Sequence, residues 1–126
     1  MHILFIEDTR TNIYGIERIA DVYNHQLQVA MTGAAGLLMA EQSPDLIFVD
    51  INLPDIDGLT LTRQIRTFLP DTPIIAVTAR VLSHDRDKCL AAGCTDYLAK
   101  PYRLARLIEL IDRYQRSGDG LNGAVN

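Results

Sequence analysis

Residues 46–58 read Leu46-Ile-Phe-Val-Asp50-Ile-Asn-Leu-Pro-Asp-Ile-Asp-Gly58. Four apolar residues run without interruption into an acid, and a loop follows in which Pro54 and Gly58 are turn residues. An unbroken apolar run of this length predicts a strand covered by helices on both faces. Similar stretches occupy residues 3–6 and 74–77, and weaker β-type runs lie at 27–30 and 97–98. Helical spacing fills the gaps. Ile13, Ile16, Ile19, Ala20 and Tyr23 pattern a helix over 12–23, residues 34–41 are rich in Ala and Leu, and Leu61, Ile65 and Leu69 stripe 57–69. Ser83 is expected to cap a helix running to Ala92 with Gly93 as its stop. Leu104, Leu107, Ile108 and Ile111 stripe a last helix over about 102–115. Five alternations of strand and helix predict an α/β fold, a parallel sheet with helices on both faces that binds ligands at the carboxyl ends of its strands.

Composition narrows the class. A chain of 126 residues is expected to be one domain, and 48% apolar with 22% charged residues excludes collagen, coiled coil and wholesale disorder. Twelve Lys and Arg against sixteen Asp and Glu leave a net charge of −4 and no basic stripe, so direct nucleic-acid binding is not expected. No apolar run approaches the ~20 residues of a membrane helix, and no signal peptide is expected from residues 1–6. Cys89 and Cys94 are too few for a disulfide framework and wrongly spaced for a zinc knuckle. They read as reduced structural thiols of a cytoplasmic protein. Residues 118–126, rich in Gly and Asn, read as a flexible tail or the start of a linker.

The strand ends carry the chemistry. Glu7 and Asp8 follow the first strand, Asp50 ends the third, Thr78 and Ala79 end the fourth, and Lys100 and Pro101 follow the fifth. Taken singly, an acid after a strand is a helix cap and a lysine before proline a surface residue. Together, three carboxylates on one sheet edge need a counter-ion, and a divalent cation with Lys100 would supply it. All-oxygen ligands favour magnesium or manganese over zinc. Such a site suits phosphoryl transfer, with one carboxylate as nucleophile and Thr78 and Lys100 holding the oxygens of the transferred group.

These residues resemble the receiver domain of two-component response regulators, the CheY-like type. The resemblance spans about residues 3–114 and rests on Glu7-Asp8, the stretch Asp50 to Gly58, Thr78-Ala79 and Asp96-Tyr-Leu-Ala-Lys-Pro101, in order and each at a strand end. It implies a doubly wound, flavodoxin-like sheet of five parallel strands in the order 2-1-3-4-5 with five helices, the domain ending near 116 and residues 117–126 forming the tail or linker start. It implies that Asp50 accepts a phosphoryl group from a histidine kinase or phosphotransfer protein. Asp8 and Asp50 would ligate magnesium, or manganese, through side chains, Asn52 through its backbone carbonyl and Glu7 through a water. Lys100 would pair with the carboxylates, then with the phosphoryl oxygens. Thr78 and the adjoining Ala79 would receive the phosphoryl group, Tyr97 would rotate inward as Thr78 moves, and Pro101 would follow a cis bond. The reporting face would lie between residues 82 and 113 and engage a protein partner. A signalling domain with modest magnesium-dependent self-phosphorylation and autodephosphorylation is implied, not a turnover enzyme, in a monomer or weak dimer without membrane insertion.

Other readings stand beside this one. The chain is alternatively a receiver-like interaction module that is never phosphorylated, the receiver fragment of a hybrid histidine kinase, or a phosphate-ester hydrolase. Tyr97 is alternatively a strand aromatic packed on a helix. Asp55 and Asp57 echo the Asp-x-Asp motif of haloacid-dehalogenase phosphatases, but Asn52-Leu-Pro54 separates them from the strand, so Asp57 is expected to start a helix as its cap. A flavodoxin-type binder would need a phosphate-cradling loop where Glu7-Asp8-Thr9-Arg10 stands. Arg80, two residues after Thr78, sits where receivers vary and where phosphoryl lifetime is tuned. His2, His25 and His84 are scattered and receive no catalytic role.

Overall fold

The computed structural model describes residues 1–79 and 82–125, with side chains described except at 83 and 117–125. Five strands, β1 (His2–Ile6), β2 (Gln26–Ala30), β3 (Leu46–Asp50), β4 (Ile74–Thr78) and β5 (Asp96–Ala99), alternate with five helices. These are α1 (Tyr14–Val22), α2 (Gly33–Ala40), α3 (Gly58–Arg66), α4 (Ser83–Ala92) and α5 (Leu104–Val125). All strand pairs are parallel and the order is β2-β1-β3-β4-β5. The chain starts near the middle of the sheet, winds one way to β2, then reverses through β3. The carboxyl ends of β1 and β3 therefore flank the reversal, where a crevice forms.

Strand pleating divides the core. Ile3, Phe5, Phe48, Ile75 and Val77 point to the face covered by α1 and α5, where Ile16, Leu107 and Ile111 meet them. Leu4, Ile6, Ile47, Val49 and Ile74 point to the other face, against Leu61 and Ile65 of α3 and Ala40 of α2. A smaller apolar cluster of Ala76, Cys89 and Cys94 lies under α4, with Ile51, Leu59 and Tyr97 packed on it. Both thiols are free and buried.

Local departures from expectation have local causes. The first helix begins two residues late because a 3-10 turn at Arg10–Asn12 precedes it. Ser83 is the first helical residue of α4, not its cap; Leu82 occupies that position in extended conformation. Gly93 ends α4 at φ 107°, and the amides of Gly93 and Cys94 return to the Leu90 and Cys89 carbonyls. An L side chain resists that backbone conformation, which is why a glycine stands there. Asp57 caps α3, its carboxylate accepting from the Leu59 amide at 3.2 Å. α5 spans Leu104–Val125.

Candidate functional site

Parallel pairing delivers the expected residues to one edge. Asp50 and Thr78 are the last residues of neighbouring central strands, and Glu7 leaves β1 with its amide bonded to Ala30 O at 2.9 Å. Lys100 follows β5 and is held by its amide on Thr78 O at 2.8 Å, ahead of a cis Lys100–Pro101 bond. Glu7, Asp8 and Asp50 each offer a carboxylate oxygen within 4.8 Å of the others. Lys100 Nζ lies 3.1 Å from Glu7 Oε1 and 3.2 Å from Asp50 Oδ2, and the Asn52 amide donates to Asp50 Oδ1 at 3.0 Å.

Burial makes this cluster costly. Glu7 is 1% exposed, Thr78 3% and Asp50 4%, so one ammonium serves two buried carboxylates. Burial, then the Asp50 carboxylate beside it, pushes Glu7 up to about 7 against the pull of Lys100. Burial works against the Lys100 charge, yet Glu7 and Asp50 outweigh it and hold the ammonium above the ordinary lysine range. Glu7 Oε1 has an ion-pair partner by distance but accepts no aligned hydrogen bond among the described residues. Three oxygen donors converging on a deficit of positive charge, one of them a buried acceptor short of a donor, fit a hard divalent cation.

Two clefts flank the cluster. One, about 410 Å³, is lined by Asn52, Thr78, Lys88, Ile51, Leu59 and Cys89 among others. The other, about 470 Å³, is bounded by Asn12, Ala79, Lys100, Pro101 and Tyr102. Tyr97 lies apart from the carboxylates, half-buried, its hydroxyl accepting from Arg86 Nη2 at 2.7 Å with the guanidinium 5.0 Å from the ring centre. Arg80 lies outside the described residues.

Sequence reasoning missed three residues. Arg86 clasps Tyr97 from α4. Arg66 donates to the carbonyls of Leu69, Thr72 and Gly93 and to Thr95 Oγ1, fastening α3 to the turn before β5. Asp55 accepts from the amides of Gly33 and Ala34, which hold its carboxyl below the ordinary range. The partners at Tyr97, Gly93, Thr95, Gly33 and Ala34 lie 11 to 29 residues away, so no local spacing announces them.

A family model for the response regulator receiver domain matches residues 3–112. The chain belongs to this family. Receiver domains are signalling domains of two-component systems, and phosphoryl acceptance on an aspartate is typical of them. The chain is 35% identical over 129 residues to the signal transduction histidine-protein kinase BarA of Escherichia coli, covering 99% of this chain and 14% of that protein. It is 33% identical over 132 residues to the hybrid signal transduction histidine kinase L of Dictyostelium discoideum, covering 98% of this chain and 8% of that one. The chain thus spans a small part of these relatives' length. Among solved structures it resembles the receiver domain of the sensor histidine kinase PA1611 of Pseudomonas aeruginosa, which holds a magnesium ion in its active-site cleft. That match has 37% identity, a TM-score of 0.80 and covers 90% of this chain and 95% of that one. The chemotaxis protein CheY4 of Vibrio cholerae shares the fold at a TM-score of 0.84 and 22% identity, over 90% of this chain and 97% of that one. Among the described residues no helix is long and apolar enough to cross a membrane.

Proposed function

We propose that Asp50 is the phospho-acceptor of this receiver domain, with Lys100 and a divalent cation as its counter-charges. The observation that carries this is the single ammonium shared by the buried Glu7 and Asp50, next to a third carboxylate. An Asp50 carboxylate oxygen attacks phosphorus as the bond from phosphorus to the donor atom breaks, and the donor leaves with that electron pair. Asp8 and Asp50 would hold the cation through side chains, Asn52 through its backbone carbonyl and Glu7 through a water. Magnesium fits this oxygen set, manganese is its nearest substitute, and when bound it neutralises charge on the transferred oxygens. Lys100 takes up a phosphoryl oxygen in place of part of its carboxylate contact. Thr78, on the neighbouring strand end, donates its hydroxyl to another, and the exposed Ala79 leaves the entry unobstructed.

The added charge is then read out as a change of shape. Drawing Thr78 toward the phosphoryl group opens room for the Tyr97 ring, which must leave Arg86 to fill it. A coupling of ~1–3 kcal/mol between the two events changes partner affinity about 5–150-fold. The surface that changes is the one between residues 82 and 113, offered to a protein partner by a monomer or weak dimer in the cytoplasm. The donor is a histidine kinase or phosphotransfer protein, in keeping with the histidine kinases among the relatives. The same kinship supports a place within a hybrid kinase, with the domain ending near residue 116 and a linker following. Self-phosphorylation from small donors and autodephosphorylation are modest, since positioning and charge neutralisation are all the site supplies.

The test is chemical mapping. After incubation with acetyl phosphate and magnesium, borohydride reduces an acyl phosphate at Asp50 to homoserine. A peptide carrying homoserine at position 50 supports the proposal; homoserine elsewhere, or none even from a phosphorylated histidine phosphotransfer protein, refutes it.

A further inference from the structure

The loop between Asp50 and α3 is tied to a helix from another part of the chain. Asp55 Oδ1 accepts from the Gly33 amide at 2.8 Å and Oδ2 from the Ala34 amide at 3.0 Å, so one carboxylate spans the first turn of α2 across 22 and 21 residues of sequence. Ile56 seats on Gly33 so closely that a Cβ there would collide with it. The helix already has a local cap, since Thr32 Oγ1 accepts from the Ala35 amide at 3.1 Å. Asp55 therefore does more than complete a helix end. The base of the loop is closed by the Asn52–Asp57 bridge and by the Gly58 amide on Ile51 O at 2.9 Å. Its tip has the Asp55 tether. In turn α2 lies against β1, with Gly36 pressed on Ile6, the residue that precedes Glu7 and Asp8. Asp55 thus links the segment carrying Asn52 to the strand carrying the other acids.

We propose that Asp55 is a positioning residue for the divalent-cation site, holding the Asn52 segment in register with Asp8 and Asp50 through the first turn of α2. This rests on the cation reading given above. Groups that orient metal ligands from outside commonly change affinity about 10–100-fold when removed, and the closed base of this loop puts the expected loss at the low end, about tenfold. By linkage, a bound cation tightens the same tether, so the Gly33 and Ala34 amides exchange more slowly in its presence.

The experiment is magnesium titration followed by two-dimensional NMR on wild type, Asp55→Ala, Asp55→Asn and Thr32→Ala, with thermal unfolding of each. Thr32→Ala removes a cap from the same helix without touching the loop. The expected result is a dissociation constant raised about tenfold in Asp55→Ala, raised less in Asp55→Asn, which keeps one acceptor, and unchanged in Thr32→Ala, which still melts lower. Magnesium slows exchange at Gly33 and Ala34 in wild type and Thr32→Ala but not in Asp55→Ala. If Asp55→Ala binds magnesium as wild type does, or if Thr32→Ala weakens binding equally, Asp55 is a structural cap and the proposal is overturned. A wild type that binds no magnesium overturns the cation reading itself.

Discussion

Neutralising Asp50 should stabilise the cation-free protein, and the gain should depend on pH. In Asp50→Asn the side chain keeps its shape and an oxygen for the Asn52 amide, while the charge goes. At an effective dielectric of about 20, charges 4.8 Å apart, the outer limit for these carboxylates, repel by about 3.5 kcal/mol. Two such repulsions, from Glu7 and Asp8, are relieved. Against them stands the lost attraction to Lys100 at 3.2 Å, about 5 kcal/mol on the same scale. The balance favours the variant by about 2 kcal/mol at pH 8, and release of a buried charge acts in the same direction. Solvent near Asp8 and Lys100 trims both sides of this difference. For a domain of this size the gain corresponds to a rise of about 5–10 °C in melting temperature.

The pH dependence follows from Glu7. Its carboxyl is raised from 4.5 to about 7 in the folded state. The folded chain therefore holds a proton that the unfolded chain releases between these values. The stability this contributes is complete below 4.5 and lost as pH rises through about 7. At pH 5.5 the Glu7 repulsion of about 3.5 kcal/mol is absent in wild type, so the advantage of Asp50→Asn should vanish or reverse. Thermal unfolding of both proteins at pH 5.5 and 8, without divalent cations, measures this. A variant less stable than wild type at pH 8, or a difference independent of pH, would refute the charge-cluster reasoning.

Three other outcomes are expected. Magnesium affinity should rise from pH 6 to pH 8, because the bound cation requires Glu7 to give up the proton it holds up to about 7; calorimetric titration checks the slope. Arg66→Ala should cost about 2–3 kcal/mol in urea unfolding, through four lost hydrogen bonds, and leave acetyl phosphate labelling unchanged. Arg86→Ala should remove about 1 kcal/mol of ring attraction and release Tyr97, seen as shifted ring resonances before any phosphodonor is added; unshifted resonances would show that Arg86 does not hold the ring.

The parts of the fold legible in the sequence are those written in local pattern. Leu46 to Val49 is uniformly apolar because both faces of β3 are covered, and the Leu61–Ile65 stripe of α3 follows from burial of one face. The acids, Thr78 and Lys100 are legible because parallel strands deposit their last residues on one edge. Contacts between elements distant in sequence are not. Nothing near Asp55 predicts the Gly33 and Ala34 amides, and nothing near Arg66 predicts the Gly93 carbonyl. Ser83 misled because a serine before a helical pattern has the chemistry of a cap, while the chain places it one position further in.

The measurement that bears most directly on Asp50 as acceptor is intact mass after incubation with acetyl phosphate, with and without magnesium, on wild type and Asp50→Asn. One added phosphoryl group, dependent on magnesium and absent from Asp50→Asn, is the predicted result. Equal labelling of the two proteins, or none in a wild type shown to bind magnesium and offered a phosphorylated histidine phosphotransfer protein, would contradict it.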